Sequence, residues 1–131
     1  YWALSIVTAL ATGNCVVSVV SELFYEEALA VKEKFQAVGA PEAVFQVAKL
    51  GHLDALLMDE KLAGVVVDSN TERTAHITAM LAEREGAILP VITAEYNDKL
   101  IQRLMTEKTI STDTTASGGN TSLMTMVEED E

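Results

Sequence analysis

The chain has 131 residues, 49% of them apolar, and a formal charge of −11 from 20 acidic and 9 basic side chains. That length and apolar content support one domain with a core and exclude a large two-domain enzyme. The charge disfavours binding to nucleic acid or to an anionic membrane, because phosphate neutralisation needs clustered Lys and Arg, which the sequence lacks.

The chain opens Tyr1-Trp2 without Met or a basic leader and reads as a segment of a longer polypeptide. Residues 1–21 carry no charge, long enough to span a bilayer as one helix. Thr12-Gly13-Asn14 divides them, however, into an Ala/Leu-rich helix over 2–11 and a Val-rich strand over 15–20. The single Cys15 excludes an internal disulfide, fits a reducing cytoplasm, and in the run Cys15-Val16-Val17 is expected as a buried thiol and not a nucleophile. Residues 22–38 place Leu23, Phe24, Ala28, Val31 and Phe35 at helical spacing, with Gly39 as the cap. A short strand over 43–48 and a short helix over 53–58 follow.

Residues 62–67 read as a fully buried strand, Asp68-Ser69-Asn70 as a cap for a helix over 71–85 closed by Gly86, and 87–93 as another strand. A last helix is expected over 97–105. Alternating helices and continuous apolar strands predict an α/β fold, a Rossmann-like, doubly wound, mostly parallel sheet covered on both faces.

Residues 107–126 differ in kind, being small and polar with β-branched Thr and Ile. Extended chain, a bend at Gly118-Gly119-Asn120 and a return through Leu123 to Met126 describe a C-terminal β-flap. A frayed Ser/Thr-rich end is the other reading of that composition. Leu123, Met124 and Met126 favour docking, since large apolar side chains near an end need something to pack on. Residues 127–131 form an acidic tail. An unpaired flap edge would also allow a homodimer by strand exchange.

Motifs for chemistry are sparse. No G-x-G-x-x-G or Walker sequence supplies amides for phosphate. His52 and His76 lack partners at metal-ligand spacing, and the acidic pairs read as solvated helix faces. Asp68 sits where a phosphoacceptor of a receiver domain would, but residues 18–21 lack the acidic pair that Mg²⁺ requires.

The terminal run Ile110-Ser111-Thr112-Asp113-Thr114-Thr115-Ala116-Ser117-Gly118-Gly119-Asn120-Thr121-Ser122-Leu123-Met124-Thr125-Met126 resembles the S-V-N-T-A-A-A-G-G-N-A-S-L-M-T-I terminus of the proline utilization A family. These bacterial enzymes fuse proline dehydrogenase to pyrroline-5-carboxylate dehydrogenase. Asp113 stands where that family commonly has Asn. Upstream, Ala9-Leu10-Ala11-Thr12-Gly13-Asn14-Cys15-Val16-Val17 is similar to the A-L-A-x-G-N-x-V-V of aldehyde dehydrogenases, Val38-Gly39-Ala40-Pro41 to their G-L-P stretch, and residues 67–72 to F-T-G-S-T-E.

Two cofactor determinants depart from that pattern: Val19 replaces the Lys that holds the adenosine ribose, and Ser69 replaces a Gly that lets the cofactor approach. Val20 replaces a Pro. The E-L-G-G segment and the catalytic Cys are missing, and Cys15 falls on a strand position.

The resemblance implies a degenerate Rossmann domain over 1–106 without catalytic residues, bound cofactor or metal. It also implies a docking motif of Ile110, Ser111, Asp113, Thr114, Thr115, Gly118, Gly119, Asn120, Ser122, Leu123 and Met124. The implied partner is the pyrroline-5-carboxylate dehydrogenase domain of the same polypeptide, with FAD and NAD confined to the parent's working domains. The location implied is cytoplasmic, in a parent associated peripherally with the inner membrane. An aldehyde dehydrogenase fragment that retains NAD binding is the competing reading.

Overall fold

Helix α1 spans Trp2–Ala11 and turns Ile6 and Ala9 inward, three residues apart on one helix face. It ends in a Schellman turn in which the Gly13 N–H donates to Leu10 O (3.0 Å) and the Asn14 N–H to Ala9 O (3.0 Å). Gly13 takes φ +86°, a conformation costly for any residue with a Cβ. The chain thereby reverses into β1, Val16–Val20. The structure, a computed structural model, describes residues 2–68, 70–94 and 99–105. Among them no helix is long and apolar enough to cross a membrane.

A 3₁₀ turn, Glu22–Phe24, leads into α2, Tyr25–Ala37. A second Schellman turn closes α2, with Gly39 at φ +93° donating to Gln36 O (2.9 Å) and Ala40 to Phe35 O (3.0 Å). The chain then returns as β2, Phe45–Lys49, parallel to β1 in the register Val16↔Phe45 to Val20↔Lys49. Buried Ala28 and Phe45 and an edge-on pair of the Phe35 and Phe45 rings, 5.5 Å apart, pack helix against strand. Lys32 Nζ donates to Gln46 Oε1 (2.8 Å), fastening the crossover from outside.

The next unit repeats the plan. Helix α3, Leu53–Leu57, precedes β3, Val65–Val67; α4, Thr71–Ala82, carries the chain back to β4, Val91–Thr93, parallel to β3. Leu57, Val67 and Ile77 form a buried cluster, flanked by Leu53, Leu62, Val65, Met80, Leu81 and Val91. The Arg84 guanidinium donates to Leu57 O, at the last residue of α3, and to Asp59 O (2.9 Å) in the turn just past it. Helix α5, Lys99–Leu104, lies against α1.

The described residues thus form an α/β structure with two small parallel sheets, β1-β2 and β3-β4. Element types and order follow the sequence expectation; several details do not. Leu23 and Phe24 are exposed and do not join the α2 stripe, because the 3₁₀ turn rotates them off the α-helical face. Cys15 is exposed, standing just after the Schellman turn and one residue before β1. The strands are not buried on both faces: Val17 is 48% exposed and Val65 and Val66 are half-buried, as a two-stranded sheet leaves flank uncovered. Strand β4 starts only at Val91, since Pro90 has no N–H to pair and Ile88 is 99% exposed. Helix α4 stops at Ala82, before Gly86. The flap and acidic tail lie outside the described residues.

Replacing Ile77 by Ala removes the helix contribution to the Leu57–Val67–Ile77 cluster and should cost about 2–5 kcal/mol. Arg84→Ala strips Leu57 O of its side-chain donor, leaving Asp59 O with only the Leu62 N–H, and should cost about 1–2 kcal/mol. Urea denaturation followed by circular dichroism measures both.

Candidate functional site

In open parallel α/β folds ligands bind beyond the C-terminal ends of the strands. At that edge of β1 the backbone of Val19 pairs opposite Ala48, and its half-buried side chain offers a ribose neither donor nor acceptor. Beyond it, Lys49 Nζ lies 2.6 Å from Glu22 Oε1 and 4.7 Å above the Tyr25 ring. The hydrogen bond that Lys49 donates to the Glu22 carboxylate raises the ammonium above its ordinary range; desolvation opposes it, and the charges of Glu22, Tyr25 and Glu26 add to the rise. Lys49 is therefore a protonated, already engaged cation at neutral pH and not a free base.

At the corresponding edge of β3, Asp68 Oδ2 meets Arg73 Nη1 at 3.1 Å and Asp68 Oδ1 accepts the Asn70 N–H at 3.2 Å. Asn70 is the N-cap of α4, its Oδ1 accepting the Arg73 N–H at 2.9 Å, as the run Asp68-Ser69-Asn70 predicts. A donor that an incoming phosphate would use is thus already occupied, and a carboxylate stands beside it. Ser69 lies outside the described residues.

The residues considered for other chemistry stay apart. His76 Nε2 contacts Asp54 Oδ1 at 2.8 Å on the surface between α4 and α3, and His52 is exposed in a 3₁₀ turn. Among the described residues no three His, Cys, Asp or Glu side chains gather as a metal site.

The α1–α5 pair carries the more unusual arrangement. Asn14, at the end of the α1 turn, donates through Nδ2 to Ala9 O (3.2 Å), Thr12 Oγ1 (3.0 Å) and, 90 residues away, Leu104 O (2.9 Å). One amide thereby ties the C-terminal ends of α1 and α5 together. Beside it runs an open groove of about 600 Å³ lined by Val7, Thr8, Ala11, Thr12, Gly13, Ile101 and Met105. Val7 and Ala11, four residues apart, stack on one face of α1 and form one wall, while Ile101 of α5 and Met105 just past its end form the other. Trp2 at the far end of α1 donates Nε1–H to the buried Ser18 Oγ at 2.7 Å, securing the helix to β1.

Sequence reasoning did not single out this clamp or the groove. Asn14 is visible in the G-N step that ends α1, but its partner Leu104 belongs to a helix that local pattern cannot bring near. The docking motif, Ile110 to Met124 with Ser111, Asp113, Thr114, Thr115, Gly118, Gly119, Asn120, Ser122 and Leu123, lies outside the described residues. Its approach is described: α5 ends at Leu104, and Met105 lines the groove.

Comparison with protein-family models, curated proteins and solved structures gave no match.

Asn14→Asp removes the amide donor and sets a carboxylate against three oxygens; it should destabilise the chain by about 1–3 kcal/mol and speed amide exchange in α5 more than in α4. For Lys49 the folded-state pKa is raised, so the stabilisation from its pairing is fully present below the unfolded value of 10.5 and lost as pH climbs through the folded one. The difference in melting temperature between wild type and Glu22→Gln should accordingly be constant from pH 7 to about 9 and shrink as pH rises past the unfolded value of 10.5, in thermal melts at matched ionic strength.

Proposed function

We propose that this chain is a non-catalytic structural module of a bifunctional enzyme that oxidises proline to glutamate. Residues 107–126 dock on the pyrroline-5-carboxylate dehydrogenase domain of the same polypeptide and cover the cavity through which the intermediate passes. The observation that carries this reading is the terminal run Ile110 to Met126, whose G-G-N-x-S-L-M-T core reproduces the family's terminus over consecutive positions.

The body supports it in three ways. Helices and parallel strand pairs alternate along the chain, as they do in the cofactor half of an aldehyde dehydrogenase; one doubly wound sheet uniting β1-β2 with β3-β4 is part of the proposal. The Thr12-Gly13-Asn14 turn feeds β1 at the place the A-L-A-x-G-N-x-V-V motif requires. Val19 and the engaged Asp68-Arg73-Asn70 set leave a dinucleotide without the contacts that motif normally provides. FAD and NAD belong, on this reading, to the parent's working domains, in a cytoplasmic enzyme that associates peripherally with the inner membrane.

A lid needs shape and hydrogen-bond complementarity but no catalytic group. By closing the exit to bulk solvent it keeps the released intermediate at a high local concentration beside the second active site, which is the benefit of effective concentration. The hydroxyls and amides of residues 111–122 supply both donors and acceptors for such a seal.

Deleting residues 111–126 from the parent should lower coupled proline-to-glutamate flux and introduce a lag in product formation, with each half-reaction assayed separately left near its original rate. Unchanged flux with no lag would defeat the lid role. Calorimetric titration of the 131-residue chain with NAD should give no micromolar binding; a micromolar isotherm would favour the NAD-binding fragment instead.

A further inference from the structure

We infer that the exposed seam of α1 pairs with the same seam on a second copy of this chain, the two helices running antiparallel about a twofold axis between Val7 and Thr8. Such pairing needs nothing from residues 107–126 and goes beyond the lid role proposed above.

The seam follows from the helical positions of the α1 side chains. Ile6 and Ala9 point inward, whereas Ala3, Leu4, Val7 and Ala11 are exposed. With 3.6 residues per turn, those four fall within an arc of about 100° on the outer side of the helix. No residue of α1 is ionisable, although the chain carries 29 charged side chains, 20 acidic plus 9 basic. A helix whose outer side faces water carries charge there; one that is apolar or uncharged all round is covered on both sides.

The relief of the seam selects a second copy as its cover. C-terminal to Val7 the surface is hollow, the groove floor being the small residues Thr8, Ala11, Thr12 and Gly13, with Ile101 and Met105 as the far wall. N-terminal to Val7, Leu4 stands proud on the same row, 37% exposed and outside the groove lining. Leu4 and Ala11 are seven residues apart, two helical turns, so their midpoint lies between Val7 and Thr8. A twofold axis at that midpoint carries Leu4 of each copy onto Ala11 of the other. One operation thus fills both hollows with both ridges, the self-complementarity that an isologous contact demands. The Asn14 bond to Leu104 O holds the α5 wall in place, so the hollow is shaped before contact.

Electrostatics points to the same surface. Two copies of formal charge −11 repel each other, and an uncharged helix is where they meet without placing like charges in contact. Added salt, by screening the remaining repulsion, strengthens such a pair. Two helices about 15 Å long bury less than the roughly 1,200 Å² of a standard interface, so the dissociation constant is on the order of 0.1 mM.

Sedimentation equilibrium on the 131-residue chain, with reductant to keep the exposed Cys15 from bridging copies, provides the first test. Mass should rise from 14.1 kDa toward twice that between about 0.01 and 1 mM protein, and association should tighten when salt is raised. Ala11→Glu, which sets a charge under the incoming Leu4, should weaken it at least about tenfold. Ile88→Glu adds the same charge at a residue 99% exposed and outside the seam, and should leave it unchanged.

A cysteine pair gives an independent reading of the geometry. In a Cys15→Ser background, Leu4→Cys with Ala11→Cys should oxidise to a covalent dimer, because within one helix the two thiols sit about 10 Å apart, beyond the roughly 7 Å that a disulfide spans. Leu4→Cys alone should give little, since the axis leaves its two copies equally far apart. A monomer at 1 mM would overturn the inference, as would association that weakens with salt. A dimer indifferent to Ala11→Glu and not captured by the cysteine pair would overturn it too, and is the outcome expected of strand exchange through residues 107–126.

Discussion

Two strands that pair in parallel cannot be joined by a tight turn; the chain must travel the length of the pair in reverse before the second strand can begin. This constraint organises both halves of the molecule. Between Val20 and Phe45 the return is made by α2, and between Val67 and Val91 by α4. Each return leg must stop abruptly if the following strand is to start in register, and the Schellman turn at Gly39 does this for α2. The same constraint gathers the C-terminal ends of each strand pair on one edge of that pair, where Lys49 meets Glu22 in the first and where the Ala94 N–H reaches Val67 O at 2.9 Å in the second.

Short strands and small sheets bury little, so the ends of elements are secured by polar side chains. Trp2 anchors α1 to Ser18, Arg84 covers Leu57 O at the end of α3, Asn70 opens α4, and Asn14 joins α1 to α5. Among the described residues no buried side-chain nitrogen or oxygen lacks a partner. Such bonds each contribute modestly, but they fix direction, which a small apolar cluster such as Leu57–Val67–Ile77 does not do alone.

Local chemistry made the element order readable. The shift from Ala/Leu to Val at Thr12-Gly13-Asn14 marked where α1 yields to β1, and the N-cap role of Asn70 followed from its side chain and position. The misreadings came from features that depend on distant structure. Leu23 and Phe24 match a helical stripe in spacing, yet a 3₁₀ turn, which spacing does not reveal, carries them to the surface. Cys15 sits in an apolar run, but its burial was decided by the turn before it. The Asn14–Leu104 bond spans 90 residues, beyond the range of any periodicity. For the site, Val19 was legible as a loss of polarity, whereas the α1–α5 groove arises only once two helices far apart in sequence are brought together.

The surface position of Cys15 has a practical side. It is the chain's sole thiol, it is open to solvent, and it follows directly after the amide that holds α5. A probe attached there would sit beside the α1–α5 junction without altering either wall, giving a native labelling point for fluorescence or spin-based distances to a partner. The same accessibility makes handling conditions matter: a lone thiol has no intramolecular mate, so air oxidation joins molecules in covalent pairs that mimic a genuine dimer. Size measurements on this chain are meaningful only when reductant is present.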